Sequence, residues 1–177
     1  MRNYLHRVLD AFGVVSAAFV FGVFIVMLGA ALMRIAGMRT GGSDDIVSWM
    51  TAAAAFFGLA HTFRHGDFVR MGLWIETLSP VRRRFAELLA LFIGGAFAGY
   101  LCYSVSLYVW DSYRFGDVAD GLIPIKKWIP QMSIVIGTFL LFVSMIDEFF
   151  TVLSGQTPSY VRAVEERHAR GDFSEDV

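Results

Sequence analysis

Few residues in this chain are placed to do chemistry on their own. Cys102 is the only cysteine, so neither an internal disulfide nor a cysteine-based metal site can form. Its position inside an apolar stretch suits packing better than nucleophilic attack. Of the four histidines, His6 and His168 fall in the terminal segments, whereas His61 and His65 stand one helical turn apart and share a face. A four-helix haem oxidoreductase needs ligands on opposite sides of one iron, which two histidines on the same face cannot supply. Two imidazoles alone are also a poor metal site. Gly41-Gly42-Ser43 precedes a helix but lacks the lysine and the preceding strand of a phosphate-binding loop. It reads instead as a turn in which Ser43, Asp44 or Asp45 caps the helix that follows. With no nucleophile motif or dinucleotide fingerprint, the sequence predicts no enzyme, no cofactor, and no catalytic, substrate or metal residues.

The elements that carry these residues follow from the composition. The chain has 177 residues, of which 56% are hydrophobic and only 18% charged, against about a quarter charged in soluble domains. Four runs lack any Asp, Glu, Lys or Arg: residues 11–33, 46–63, 88–110 and 128–146. Each can span a membrane, since about 20 helical residues cross a hydrocarbon core of about 30 Å. The expected fold is an all-α integral membrane protein with four transmembrane helices in one domain, residues 1–153, followed by a polar tail, residues 154–177. That tail reads as a short helix with a disordered end. A net charge of −1 gives no sign of a nucleic-acid partner. Arg2 and Arg7 before the first run mimic a secretory signal, but the run is longer than the 7 to 15 apolar residues, roughly, of such a signal, so it is read as a retained span.

Orientation follows from the basic residues. One side collects Arg2, Arg7, Arg64, Arg70, Arg82, Arg83, Arg84, Arg162, Arg167 and Arg170, and the other only Arg34, Arg39, Arg114, Lys126 and Lys127. That split places both termini in the cytoplasm. Trp49, Trp110 and Trp128, with Tyr108 and Tyr113, then fall at the outer ends of their helices, where amphipathic rings sit at headgroup level. In the middle loop Phe68, Met71, Trp74, Ile75 and Leu78 recur at helical spacing between charged residues, which predicts an amphipathic helix lying in the membrane surface. Ser79 and Pro80 are expected to open the next helix as N-cap and first-turn residue.

Small residues nominate helix contacts: Ala18 and Gly22 in the first span, Ala54 and Gly58 in the second, Gly95 and Gly99 in the third. Polar chemistry inside the spans is nearly absent. Asp44, Asp45, Asp111, Asp147 and Glu148 are expected at boundaries, solvated by water and headgroups, and His61 lies near the end of its span. A self-sufficient transporter places ionisable groups or broken helices at the midplane, and a channel needs a polar lumen. Neither pattern is present.

The order of several short motifs resembles a known family. Arg34-Ile35-Ala36-Gly37 leaves the first span, Asp44 and Asp45 with Trp49 open the second, RHGDFVRMGLWIETLSPVRRR covers residues 64–84, and GLIPIKKWIPQ, residues 121–131, opens the fourth. Over about residues 10 to 153 the chain resembles the small membrane subunit, of DctQ type, of tripartite ATP-independent periplasmic (TRAP) transporters. The resemblance implies sodium-driven solute uptake in a bacterial inner membrane, with a large membrane subunit that translocates the solute and an extracytoplasmic solute-binding protein. The small subunit would act as a scaffold, in contact with membrane lipids. The small subunit of another tripartite uptake system has similar hydropathy and is the alternative. Given the topology above, Arg34, Arg39, Asp44, Asp45, Arg114, Asp117, Asp120, Lys126 and Lys127 lie on the outer rim and are candidates for docking the solute-binding protein by mixed-sign charge.

Overall fold

The computed structural model describes residues 2–66 and 79–170, and every regular element within them is an α-helix. In hydrocarbon each backbone N–H and C=O must be satisfied within its own segment, so long uncharged runs fold as helices. These are α1 (Arg2–Ile35), α2 (Ser43–His65), α3 (Pro80–Phe115), α4 (Trp128–Leu153) and the shorter α5 (Ser159–Ala169). The first four are long and apolar enough to cross a membrane, which makes the chain an all-α, multi-pass membrane protein. Each contains one of the four charge-free runs and extends beyond it. With 34 and 36 residues, α1 and α3 measure about 51 and 54 Å at 1.5 Å per residue, well over the hydrocarbon thickness. They must tilt or project beyond it. The surface helix expected over Phe68, Met71, Trp74, Ile75 and Leu78 lies outside the described residues.

The helix ends differ in detail from the sequence expectation. The N-cap of α2 is Gly42, not Ser43, Asp44 or Asp45. Its φ of 81° is left-handed, a conformation that side chains resist, and Ile123 packs where a Cβ would stand. Ser43 instead directs its hydroxyl to the Thr40 carbonyl, and Asp44 and Asp45 occupy the first turn, where they favour the helix dipole. Ser79 and Pro80 do open α3, although the Ser79 hydroxyl makes no capping bond. At its far end α3 continues to Phe115 and takes in Asp111 and Arg114. It stops at Gly116, where the Asp117 N–H bonds the Ser112 carbonyl at 3.1 Å in a Schellman closure.

The spanning helices form a row in the spatial order α1, α2, α4, α3, with α2 and α4 packed against each other at its centre. Two hydrophobic clusters support this order. One joins Leu9 of α1, Ala60 of α2 and Leu140 of α4, and the other joins Phe63 of α2, Leu91 of α3, Val152 of α4 and Tyr160 of α5. Helix α5 therefore folds back onto α2. The outer pair, α1 and α3, keep broad apolar faces exposed, including Val14, Phe21 and Phe24 on one and Phe92, Phe97 and Tyr100 on the other.

Small residues let these helices approach. Between α1 and α2, Gly22 faces the Met50 thioether, and Gly58 faces Ser16, whose hydroxyl donates to the Ala54 carbonyl at 2.7 Å. Ala18 is exposed. Between α3 and α4, Gly99 lies under the Phe142 ring and Gly95 beside Met145. A contact absent from the small-residue patterns is Gly137 of α4, which lies directly against the Phe56 carbonyl of α2 with no space for a Cβ. Next to it Thr138 is fully buried, and its hydroxyl donates to the Ile134 carbonyl of its own helix at 2.7 Å. Ser133 and Ser144 do the same. The buried hydroxyls thus satisfy themselves locally.

Candidate functional site

Polar side chains gather at the two ends of the helices. At one end α2 begins and α3 gives way to α4. There the segment 116–127 folds on itself through an antiparallel bridge between Val118 and Lys126, with the Ala119 N–H on the Ile125 carbonyl at 2.8 Å and the Lys127 N–H on the Asp117 carbonyl at 2.9 Å. Asp45 of α2 holds this segment, since its Oδ2 accepts the Leu122 N–H at 3.0 Å, and its carboxylate fills the space beside Gly121. Lys127 donates to Asp120 at 2.7 Å. The hydrogen bond from that ammonium, and then its charge, hold the Asp120 carboxyl below the usual range, and the same contact raises Lys127.

Of the candidate docking residues, Asp45, Asp120 and Lys127 are therefore engaged within this rim. Arg34, Arg39, Asp44, Arg114, Asp117 and Lys126 are exposed. Beside the rim, Tyr113 packs edge-on against Trp128 at 5.6 Å between ring centres, with Trp110 at 6.0 Å on its other side.

The opposite end brings together α1, the end of α2 and α5. Asp10 of α1 meets Arg64 at 3.2 Å and His61 Nδ1 at 3.6 Å. Gly13 makes room for this, because a Cβ there would strike the His61 ring at 2.6 Å. The His65 ring lies tilted against that of His61, 4.1 Å between ring centres, and its Nδ1 lies 2.9 Å from the His61 carbonyl. Ligand atoms of Asp10, His61 and His65 come within 4.8 Å of one another, the makings of a divalent-cation site. Arg64, however, already shares the Asp10 oxygen, and more arginines stand behind it, so the local field opposes a cation. Arg167 of α5 donates to the His65 carbonyl at 3.0 Å and Arg84 of α3 to the Leu153 carbonyl at 2.8 Å, each satisfying a carbonyl left open at a helix C-terminus.

Sequence reasoning did not single out Asp10, Gly137 or the burial of Glu148. The expectation that Glu148 is solvated at a boundary is corrected: it is 4% exposed, and its Oε2 accepts the Ser159 N–H at 3.0 Å.

Among the described residues neither end offers a nucleophile set against a base, and the charged groups of the spanning helices lie outside the four charge-free runs. The family model for the DctQ component of tripartite ATP-independent periplasmic transporters matches residues 23–155. The chain belongs to the DctQ family. A DctQ chain is a transporter component and not an enzyme, and membership implies association with a large membrane subunit and a solute-binding protein. No curated protein matches the chain at a significant level. The DctQ match takes in α2, α3 and α4 whole, with their interlocking glycines and the rim built on Asp45; the first part of α1 and all of α5 lie outside it.

Proposed function

We propose that this DctQ chain is the scaffold of a sodium-driven TRAP uptake system in a bacterial inner membrane, with both termini in the cytoplasm. It fixes the depth and orientation of a large membrane subunit that moves the solute, while the exposed rim charges help to receive an extracytoplasmic solute-binding protein. The observation that carries the reading is the division of labour among the spans. The central helices lock together through Gly137 and Phe56, whereas the most apolar window of α1 has no buried position at all. Buried hydroxyls at Ser133, Thr138 and Ser144 turn back on their own helices instead of lining a solute path, and the chain offers long apolar faces to lipid and to a larger subunit. Small-residue contacts at Gly22, Gly58, Gly95 and Gly99 keep those faces rigid.

The test is co-expression with the large membrane subunit, followed by purification in mild detergent and uptake in vesicles supplied with binding protein. A one-to-one complex and uptake that requires an inward sodium gradient are expected. Migration of this chain alone, or uptake by the large subunit without it, would overturn the scaffold role. A reporter fused after Val177 that became active only in the periplasm would overturn the orientation.

A further inference from the structure

Where α1 begins and α2 ends, these two helices and α5 enclose an open pocket of about 540 Å³. Among the described residues four arginines line it, Arg64, Arg162, Arg167 and Arg170, with one lining carboxylate, Glu166, and with Asp10 of α1 paired to Arg64 at 3.2 Å. The three imidazoles of His6, His61 and His65 complete its floor and supply further donors. Two of the guanidinium groups are oriented by main chain. Arg64 donates to the His6 carbonyl at 3.1 Å, and Arg167 to the His65 carbonyl at 3.0 Å. Arg170 is tethered through Nε to the Glu166 carbonyl at 3.1 Å, leaving its terminal nitrogens to point elsewhere. The Arg162 guanidinium, unlike its backbone N–H, has no hydrogen-bond or ion-pair partner among the described residues. A concave site with this excess of guanidinium groups fits a phosphate, whose oxygens match the planar fork of arginine.

Depth selects the source of that phosphate. The charge-free run of α1 starts at residue 11 and that of α2 ends at residue 63, so a pocket built from His6, His61, Arg64 and His65 opens where hydrocarbon gives way to headgroups. We propose that this pocket binds a phosphate group, supplied by the headgroup of an anionic phospholipid. A soluble phosphate shares the same chemistry. The site does not rest on the transport reading: it would pin α5 and the ends of α1 and α2 to the membrane surface whatever the chain assembles with.

The test uses the full chain, purified in mild detergent and examined by native mass spectrometry after exchange with phosphatidylglycerol or with phosphatidylcholine. One phosphatidylglycerol retained per chain is expected, with phosphatidylcholine held far more weakly. Arg162 and Arg170 are exposed, so the double variant R162Q/R170Q should fold with an unchanged melting temperature. It should lose retention on the order of tenfold, because each basic group near the surface contributes to anionic-lipid affinity. R162K should keep most of it, and R82Q/R83Q, basic residues at the same end but outside the pocket, should leave it unchanged. Added inorganic phosphate separates the sources. If it fails to displace the lipid, the headgroup is the ligand, whereas displacement or direct binding that disappears in R162Q/R170Q assigns the pocket to soluble phosphate. Phosphatidylglycerol retention equal to that of the parent in R162Q/R170Q, with no arginine-dependent phosphate binding, would overturn the proposal.

Discussion

The carboxylate of Glu148, near the end of α4, accepts the backbone N–H of Ser159, the first residue of α5, at 3.0 Å. This is a helix cap supplied from another helix, and it places a negative charge against the N-terminal dipole of α5. It also fixes the turn that seats Tyr160, 4% exposed, against Phe63 and Val152. Removing the acceptor leaves a part-buried N–H without its partner, so Glu148→Ala should destabilise the docking of α5 by about 1–2 kcal/mol. E148Q, which keeps an acceptor oxygen, should lose less. Limited proteolysis of the full chain between Gly155 and Ser159, faster in E148A than in E148Q, checks this. Equal rates in the parent and both variants would mean that the apolar contacts of Tyr160 alone hold α5.

The α2–α4 crossing depends on one missing side chain. A Cβ at Gly137 would run into the Phe56 carbonyl, a backbone atom that cannot swing aside. Gly137→Ala should therefore cost about 1–3 kcal/mol as an overpacking substitution. Gly29 of α1 has nothing within 4 Å, so G29A should be neutral or slightly stabilising, as expected where a helical glycine gains propensity without a clash. Melting temperatures in detergent test the pair. A G137A protein as stable as the parent would show that the two helices can separate at no cost.

These two sites mark the boundary of what the sequence discloses. The spans are legible because hydrocarbon excludes charge, which leaves an unbroken signature along residues 11–33, 46–63, 88–110 and 128–146. The start of α3 at Ser79 and Pro80 is legible because proline suits a first turn. Gly137 is not, since a lone glycine facing a carbonyl on another helix makes no repeat along its own chain. Glu148 reads as a boundary acid until α5 folds back over it, and Asp10 gains meaning only from Arg64, 54 positions away. The α2 cap passed to Gly42 because its left-handed backbone is set by packing with Ile123, which lies in a distant loop.

The Asp120–Lys127 contact gives the rim segment a defined pH range. Asp120 is held below the ordinary carboxylate value, so its contribution is fully present above that ordinary value and is lost as pH falls through the lowered one. Lys127 is raised, so its contribution is present below the ordinary lysine value and is lost as pH rises through the higher one. Between these limits the segment should keep one geometry, and both partners are exposed enough that overall stability should hardly register the change. A pair of spin labels at Val118 and Leu122 should report a constant distance at neutral pH that broadens at both extremes. In Asp120→Asn the broad distribution should be present throughout, and a narrow distribution in that variant would show that the bridge from Val118 to Lys126 suffices alone.

Charge reversal at the rim separates two roles that are adjacent in sequence. Asp44 and Lys126 are exposed, with side chains outside the hydrogen bonds that fold the segment, whereas Asp45 carries the Leu122 N–H. If the rim helps to dock the solute-binding protein, Asp44→Lys and Lys126→Glu should raise the binding-protein concentration needed for half-maximal uptake, by a factor that shrinks with added salt, because rim charges act over a screened range of about 10 Å at 0.1 M. The maximal uptake rate and the assembly of the membrane complex should not change. Asp45→Asn keeps an acceptor oxygen for Leu122 and should behave as the parent in assembly, whereas Asp45→Lys removes the acceptor, so it should disorder the rim segment and lower the maximal rate whatever the salt. Uptake curves at two ionic strengths, with binding protein titrated against each variant, decide between the outcomes. Unchanged half-maximal concentrations in D44K and K126E at both salts would assign docking to the large subunit alone and leave Asp45 with a purely structural task.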